Sequence, residues 1–202
     1  HETPQNNTNQ NDTLGAYLEN PRADLIPLIR QKDLRRLYFE AGRLHGHFCP
    51  GLSLGVMASV AGLHGLAELL EVSVDEVLKA DGMEDVLAVV ETNNCMCDGV
   101  QVVTGCTFGN NGLVFRDLGK TAVSIGLRPY SGTGSDGVLS GRGVRVTLNA
   151  DYRALIDDEV PEFTSLFEDV VAGQDRDPEK LRRFKSVSAE AGFAVLDSYS
   201  EL

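Results

Sequence analysis

Residues 86–106 read VLAVVETNNCMCDGVQVVTGC, and the fold class turns on this stretch. Val86 to Glu91 is a short apolar run, the pattern of a buried strand. It leads into polar Thr92, Asn93 and Asn94, then two cysteines, Cys95 and Cys97. Asp98 is placed to cap a helix through Val100, Gln101 and Val103 that ends at Gly105. A strand, a thiol-bearing turn and a helix therefore sit in the middle of the chain.

Upstream of it the pattern is helical. Asp33 to Leu44 places Leu34, Leu37, Tyr38 and Ala41 on one stripe. That helix stops at His45-Gly46-His47-Phe48-Cys49, and Pro50 suits the first position of a second helix running to about Leu70. The second helix carries Gly55, Ala58, Ser59, Ala61, Gly62 and Gly65. So many small residues lower helix propensity and imply that another backbone packs close, a symmetry mate being one candidate. Ser73-Val74-Asp75-Glu76 is a capping box for a short helix to about Ala80.

Downstream, Asn111-Gly112 is a tight-turn dipeptide. Leu113–Arg116, Thr121–Leu127 and Val144–Leu148 alternate as antiparallel strands, with a glycine-rich loop from Tyr130 to Gly143. Pro161–Val171 reads as one helix, and Pro178, capped by Asp177, starts another that ends near Ser198. Helices, then strands, then helices, without a βαβ rhythm, predict an α+β fold: an antiparallel sheet packed with helices and a helical C-terminal extension. The expected organisation is a flexible lead over residues 1–20, a core over 21–150 and the extension over 151–202.

The 202 residues include 30 Asp and Glu against 18 Lys and Arg, a net charge of −12. This excludes a dense positive field of the kind that tracks nucleic acid or an anionic membrane. No uninterrupted run of 18 apolar residues is present, so no transmembrane helix is expected. The chain does not begin with Met and is read as processed. Without a signal-like apolar segment, a cytoplasmic location is expected, export after removal of a signal being left open.

Four cysteines are too few for a disulfide scaffold. His45, His47 and Cys49, spaced i, i+2, i+4, bring imidazole and thiolate together, a donor set suited to zinc, iron or copper. Cys49 also precedes a helix, where the dipole lowers a thiol pKa and makes it a candidate nucleophile. His64, alone on a helix, reads as a core histidine bonded to a carbonyl. Cys95 and Cys97 form a Cys-x-Cys pair, which can share a metal or make a reactive disulfide. Cys106, after the next helix, joins the same pocket if that helix folds back. The candidate ligands are thus His45, His47, Cys49, Cys95, Cys97 and Cys106, for zinc or iron. Cys49, Cys106 and Asp98 are the candidate catalytic groups, Asp98 as the orienting partner of an imidazole. Gln101, Thr107 and Lys120 are candidates for holding a ligand, Lys120 by placing a positive charge near an anion. No Walker-type phosphate loop or Gly-x-Ser-x-Gly elbow is present, and Gly132–Gly137 lacks the strand–helix context of a nucleotide fingerprint.

His45-Gly46-His47-Phe48-Cys49-Pro50-Gly51 resembles the opening motif of the FmdE family, named for a component of formylmethanofuran dehydrogenase. Glu91 with Cys95, Asp98 and Gln101, then Thr104–Gly109, then Asp117 with Gly119-Lys120 extend the likeness, which covers about Leu37 to Ala150. The resemblance implies an α+β core forming an intertwined homodimer, with His45, His47, Cys49, Cys95, Asp98, Gln101 and Cys106 lining a metal or active-site pocket. It also implies an accessory or catalytic role in one-carbon or redox metabolism, alone or within a larger oxidoreductase complex. The alternative is a thiol-redox or cofactor-processing enzyme using Cys49 and the Cys95/Cys97 pair. Many family members append a C-terminal zinc finger, for which this sequence has no cysteines after Cys106. Cys97 stands where the family has an ordinary residue.

Overall fold

A computed structural model describes residues 15, 18–78, 85–128, 142–148 and 152–199. Most of the glycine-rich loop and nearly all of the expected N-terminal lead lie outside the described residues. The elements run α1 (Leu25–Arg30), α2 (Leu34–His45), α3 (Pro50–Leu70), α4 (Val74–Leu78), β1 (Val86–Val90), α5 (Met96–Thr104), β2 (Leu113–Phe115), β3 (Ala122–Leu127), β4 (Gly143–Thr147), α6 (Tyr152–Glu159), α7 (Glu162–Phe167) and α8 (Pro178–Ser198). A π-helical turn, Glu168–Ala172, continues α7. The class is α+β.

The sheet is mixed rather than antiparallel, which corrects the sequence expectation. Its order is β2-β1-β3-β4. β1 pairs antiparallel with β3 through Val86↔Leu127, and β3 antiparallel with β4 through Ala122↔Thr147. β2 runs parallel to β1, Ala88 facing Leu113. The reason is α5: parallel neighbours need a crossover, and the helix between the two strands provides it. The Asn111-Gly112 turn, with Asn111 at φ 56°, leads into β2 instead of closing a hairpin.

Helix ends follow the caps written in the sequence. Asp33 accepts from the Arg36 amide at the start of α2 (3.1 Å). At α4, Ser73 and Glu76 bond reciprocally, amide to carboxylate at 2.8 Å and amide to hydroxyl at 3.2 Å. Asp177 accepts from the amides of Glu179 and Lys180 at the start of α8. The expected single helix over Pro161–Val171 is α7 with its π turn, and α6 precedes it with only Ile156 buried.

α3 is the centre of the molecule. It is long and apolar enough to cross a membrane by length and composition alone, yet twelve of its 21 residues are buried by protein. On one side Leu52, Val56, Leu63 and Leu66 join the core under the sheet and α5, with Leu37, Val100 and Ile125. On the other, Leu54 packs with Ile156, Val160, Val187, Ala191 and Val195 of the C-terminal helices. His64 takes the structural role expected of it, its Nε2 lying 2.9 Å from the Ile29 carbonyl oxygen.

The small residues of α3 admit a backbone from within the same chain, α5. A Cβ on Gly99 would lie 2.7 Å from the Leu52 oxygen, and one on Gly55 would collide with the Met96 carbonyl. Glycine at these positions lets the two helix axes approach closely, and the first turns of α3 and α5 lie side by side.

Candidate metal centre and its cleft

That approach brings together two cysteines far apart in sequence. Cys49 is the residue before α3 and Cys95 the residue before α5, so both thiols lie at the positive ends of helices. Gly51 makes room, since a Cβ there would lie 3.0 Å from the Cβ of Cys95. From the third side comes the C-terminus of α2. Gly46, at φ 85°, ends that helix in the left-handed conformation that favours glycine, and the chain reverses between His45 and His47. Their rings lie 4.2 Å apart, centroid to centroid. Phe48 anchors the segment by packing on Tyr38 and Phe39, and the buried Tyr38 hydroxyl donates to the Cys49 carbonyl (3.2 Å).

His45, His47, Cys49 and Cys95 each offer a donor atom, and these atoms all lie within 4.8 Å of one another. A tetrahedral zinc site with bonds of 2.0–2.3 Å has ligand–ligand edges of about 3.3–3.8 Å. The Cys49 Sγ to His45 Nε2 separation of 3.7 Å already falls in that range. The donor set therefore fits a tetrahedral ion of the zinc type in chemistry, and closing the wider separations by about 1 Å or less would bring it to size. Asp98 accepts from His45 Nδ1 (2.7 Å) and from Gln101 Nε2 (3.0 Å). This fixes the imidazole tautomer with the proton on Nδ1 and leaves Nε2 free as a donor to metal. Asp98 lies in the first turn of α5, and its side chain serves His45; the cap position falls at Cys95, three residues earlier than expected, and α5 begins at Met96.

The two thiols share a proton unequally. Cys95 is lowered to about 6, chiefly because Cys49 donates a hydrogen bond to its thiolate, with His45 nearby. Cys49 is pushed up, by giving that bond and by burial. The pair thus releases its first proton easily and holds the second. Cys49 stands before a helix as expected, and its neighbour Cys95, which accepts its hydrogen bond, is the thiol of the pair that is lowered. His47 is lowered by desolvation and by His45.

The other candidate ligands stand outside the four-donor group. Cys97 points its thiol at the Thr92 carbonyl (3.0 Å), and burial raises it to about 11. Cys106 does not return to the cluster. It follows α5, whose nine residues separate it from Cys95 by roughly 13 Å at 1.5 Å per residue. Its buried thiol bonds the Val86 carbonyl instead, and burial raises its pKa. Thr107 closes a turn with Asn110, and exposed Lys120 bonds the Glu91 carbonyl through its own amide. Glu91 itself is buried in a two-bond ion pair with Arg145 (2.6 and 2.7 Å), which lowers its pKa.

A cleft of about 540 Å³ opens beside the cluster, and His45 and Cys95 form part of its wall. Val90, Leu113, Phe108 and Phe115 make an apolar side. Asn93, Asn94, Cys97, Asp98 and Gln101 make a polar one. Of these, Phe108, Phe115, Asn93 and Asn94 were not singled out as site residues from the sequence. The signal was thin: a phenylalanine in a glycine-rich turn, and two adjacent amides before a cysteine.

The family model described as "FmdE, Molybdenum formylmethanofuran dehydrogenase operon" matches residues 44–202. The chain belongs to this family. A curated relative from Archaeoglobus fulgidus, named "Probable S-adenosyl-L-methionine-binding protein", is 39% identical over 168 residues, 83% of this chain and 41% of the relative. The chain thus spans about two fifths of that relative's length. A solved structure of a "tungsten formylmethanofuran dehydrogenase subunit e (fmde)-like protein" from Syntrophus aciditrophicus is matched over 78% of this chain and 68% of its own, at 20% identity and a TM-score of 0.41.

Proposed function

We propose that the chain is a metal-binding protein in which Cys49, Cys95, His45 and His47 hold one zinc or iron ion, with an accessory or catalytic role in one-carbon or redox metabolism. The observation that carries this reading is the convergence of four soft-to-borderline donors within 4.8 Å, one of them oriented by a carboxylate. When bound, such an ion would act as a Lewis acid beside the cleft. The chain's own residues bind it as thiolates and imidazoles, and Asp98 keeps the His45 proton on Nδ1. Family membership supports a homodimer, alone or within a larger oxidoreductase assembly, and light scattering of the purified protein tests the first. Elemental analysis of protein purified under reducing, anaerobic conditions tests the metal. Close to one equivalent per chain is expected, and less than about a tenth would sink the reading.

A thiol-exchange role through Cys95 and Cys97 has weaker support, because the thiol facing Cys95 is Cys49 and Cys97 is bonded to a carbonyl. A second reading concerns the cleft. The archaeal relative's name makes S-adenosyl-L-methionine a candidate ligand, and one observation favours it: no Lys or Arg lines the cleft among the described residues, while Asp98 does. Its sulfonium and ammonium groups suit that wall, and its carboxylate would stay in solvent. Equilibrium dialysis with the labelled compound tests it, and no retention at about 1 mM would rule it out.

A further inference from the structure

We propose that the cleft selects its ligand by ring and by charge: it takes a flat nitrogenous heteroaromatic molecule of nucleoside size that carries no net negative charge, with Phe108 and Phe115 as the residues that grip the ring. The proposal rests on reading the cleft as the working face of the metal centre for its purpose, but its chemistry comes from the lining alone.

Size is the first observation. A cleft of about 540 Å³ falls inside the usual range for small-molecule sites, roughly 300–1,000 Å³, and is ample for a nucleoside. The rings are the second. Phe108 is 65% exposed and Phe115 37% exposed, and both line the cleft. Two phenyl rings left partly to water in the lining of a concave site offer π faces to a flat ligand, and base–aromatic stacking of this kind is tolerant of ring identity.

The third observation is the hydrogen-bonding capacity left over on the polar side. Gln101 spends its amide nitrogen on Asp98, which leaves its carbonyl oxygen to accept. Asn94 spends its carbonyl oxygen on the Met96 amide, which leaves its NH2 to donate. One acceptor and one donor match the edge of an amino-substituted ring, where an exocyclic NH2 adjoins a ring nitrogen. The fourth is charge. Asp98 is the one carboxylate of the lining, two cysteines accompany it, and no Lys or Arg answers them among the described lining residues. A phosphate or carboxylate entering this wall would shed water without finding a basic side chain, and the charge of a divalent ion at the centre would already be answered by the two thiolates that hold it.

Adenosine and 5′-AMP are the probes, because they share a ring and differ by a phosphate. Both are titrated calorimetrically into metal-loaded full-length protein, with metal content measured on the same sample. Adenosine is expected to bind one-to-one, with Kd between about 1 μM and 1 mM, and AMP at least about tenfold more weakly. The F108A/F115A variant is expected to lose at least about tenfold in adenosine affinity at unchanged metal content. F108L/F115L, which keeps the apolar volume without the π faces, separates stacking from simple burial, and it too is expected to weaken binding. AMP binding as tightly as adenosine, no adenosine binding by about 1 mM, or ring variants that bind like the parent would each overturn the proposal. Metal present with adenosine absent refutes the cleft and leaves the metal centre standing. Adenosine binding that depends on the rings in a metal-free protein does the reverse.

Discussion

At the N-terminal end of α5, Cys95 lies beside Cys49, His45 and His47 and opens onto a cleft, whereas at the C-terminal end Cys106 is sealed under β1 with its thiol on the Val86 carbonyl. Both are cysteines at the end of one nine-residue helix. The difference lies in what each end offers. The N-terminus presents unsatisfied amides and the positive end of the dipole, which favour a thiolate. The C-terminus presents carbonyls, and the chain meets them with Gly105 at φ 76° and with the Arg22 guanidinium, which donates to the Val102 and Val103 oxygens at 2.7 Å. A thiol at that end is buried, protonated and structural. Reactivity of a cysteine here is set by which end of the helix it touches and by what converges on it.

The largest expected effect breaks the N-terminal end outright. Cys49→Ala or Cys95→Ala removes a thiolate from a four-donor set, and metal content should fall below about a tenth of an equivalent. Cys106→Ala should leave it unchanged. Elemental analysis of the three proteins side by side reads the contrast, and loss of metal in the Cys106 variant would abolish it.

The next effect is on thiol chemistry in the metal-free protein. The thiolate is the reactive form, so alkylation rate rises as pH climbs through the thiol pKa. Cys95, lowered to about 6, should alkylate with a half-maximal rate near that pH, and its reactivity should fade below it. Cys106 and Cys97, both raised, should lag by about 100-fold or more at pH 7. Peptide-resolved mass spectrometry after brief labelling tests this. Cys49 labelling first would reverse the assignment within the pair.

Asp98→Asn keeps the shape of the orienting residue but removes its charge. Carboxylate partners of ligating histidines are worth about 10–100-fold in metal affinity. A loss in that range, measured by competition with a chromophoric chelator at constant Tm, is expected. A fall in Tm without loss of affinity would make Asp98 a helix-end residue and nothing more.

How much of this contrast is legible in the sequence depends on range. His45, His47 and Cys49 are close neighbours in the chain, and their i, i+2, i+4 spacing carries the metal signal directly. Caps at Ser73 and Asp177 are equally local and were readable for the same reason. The meeting of Cys49 with Cys95 is not local. It depends on Gly55 and Gly99 fitting one helix backbone against another, and the sequence shows only that the residues are small. The parallel β1–β2 pair was missed because a single short crossover leaves no repeating rhythm to detect. Cys106 enters the pocket in the sequence reading only if its helix folds back, and through the family resemblance, whereas the length of α5 places it at the far end.

The smallest expected effect tests the C-terminal end for independence. Arg22 comes from the segment before the family-matched residues 44–202, yet it satisfies two carbonyls at the end of α5. Charged hydrogen bonds of this kind contribute about 1.5–3 kcal/mol. Arg22→Ala should therefore lower Tm by several degrees, given about 2–4 °C per kcal/mol for a chain of this size. Metal affinity should not move, because the ligands lie at the opposite end of a rigid helix. If instead affinity falls in step with Tm, α5 shifts along its axis when its C-terminus is released. The glycine contacts of Gly55 and Gly99 would then hold the helix sideways but not lengthwise, and the two ends would be one device rather than two.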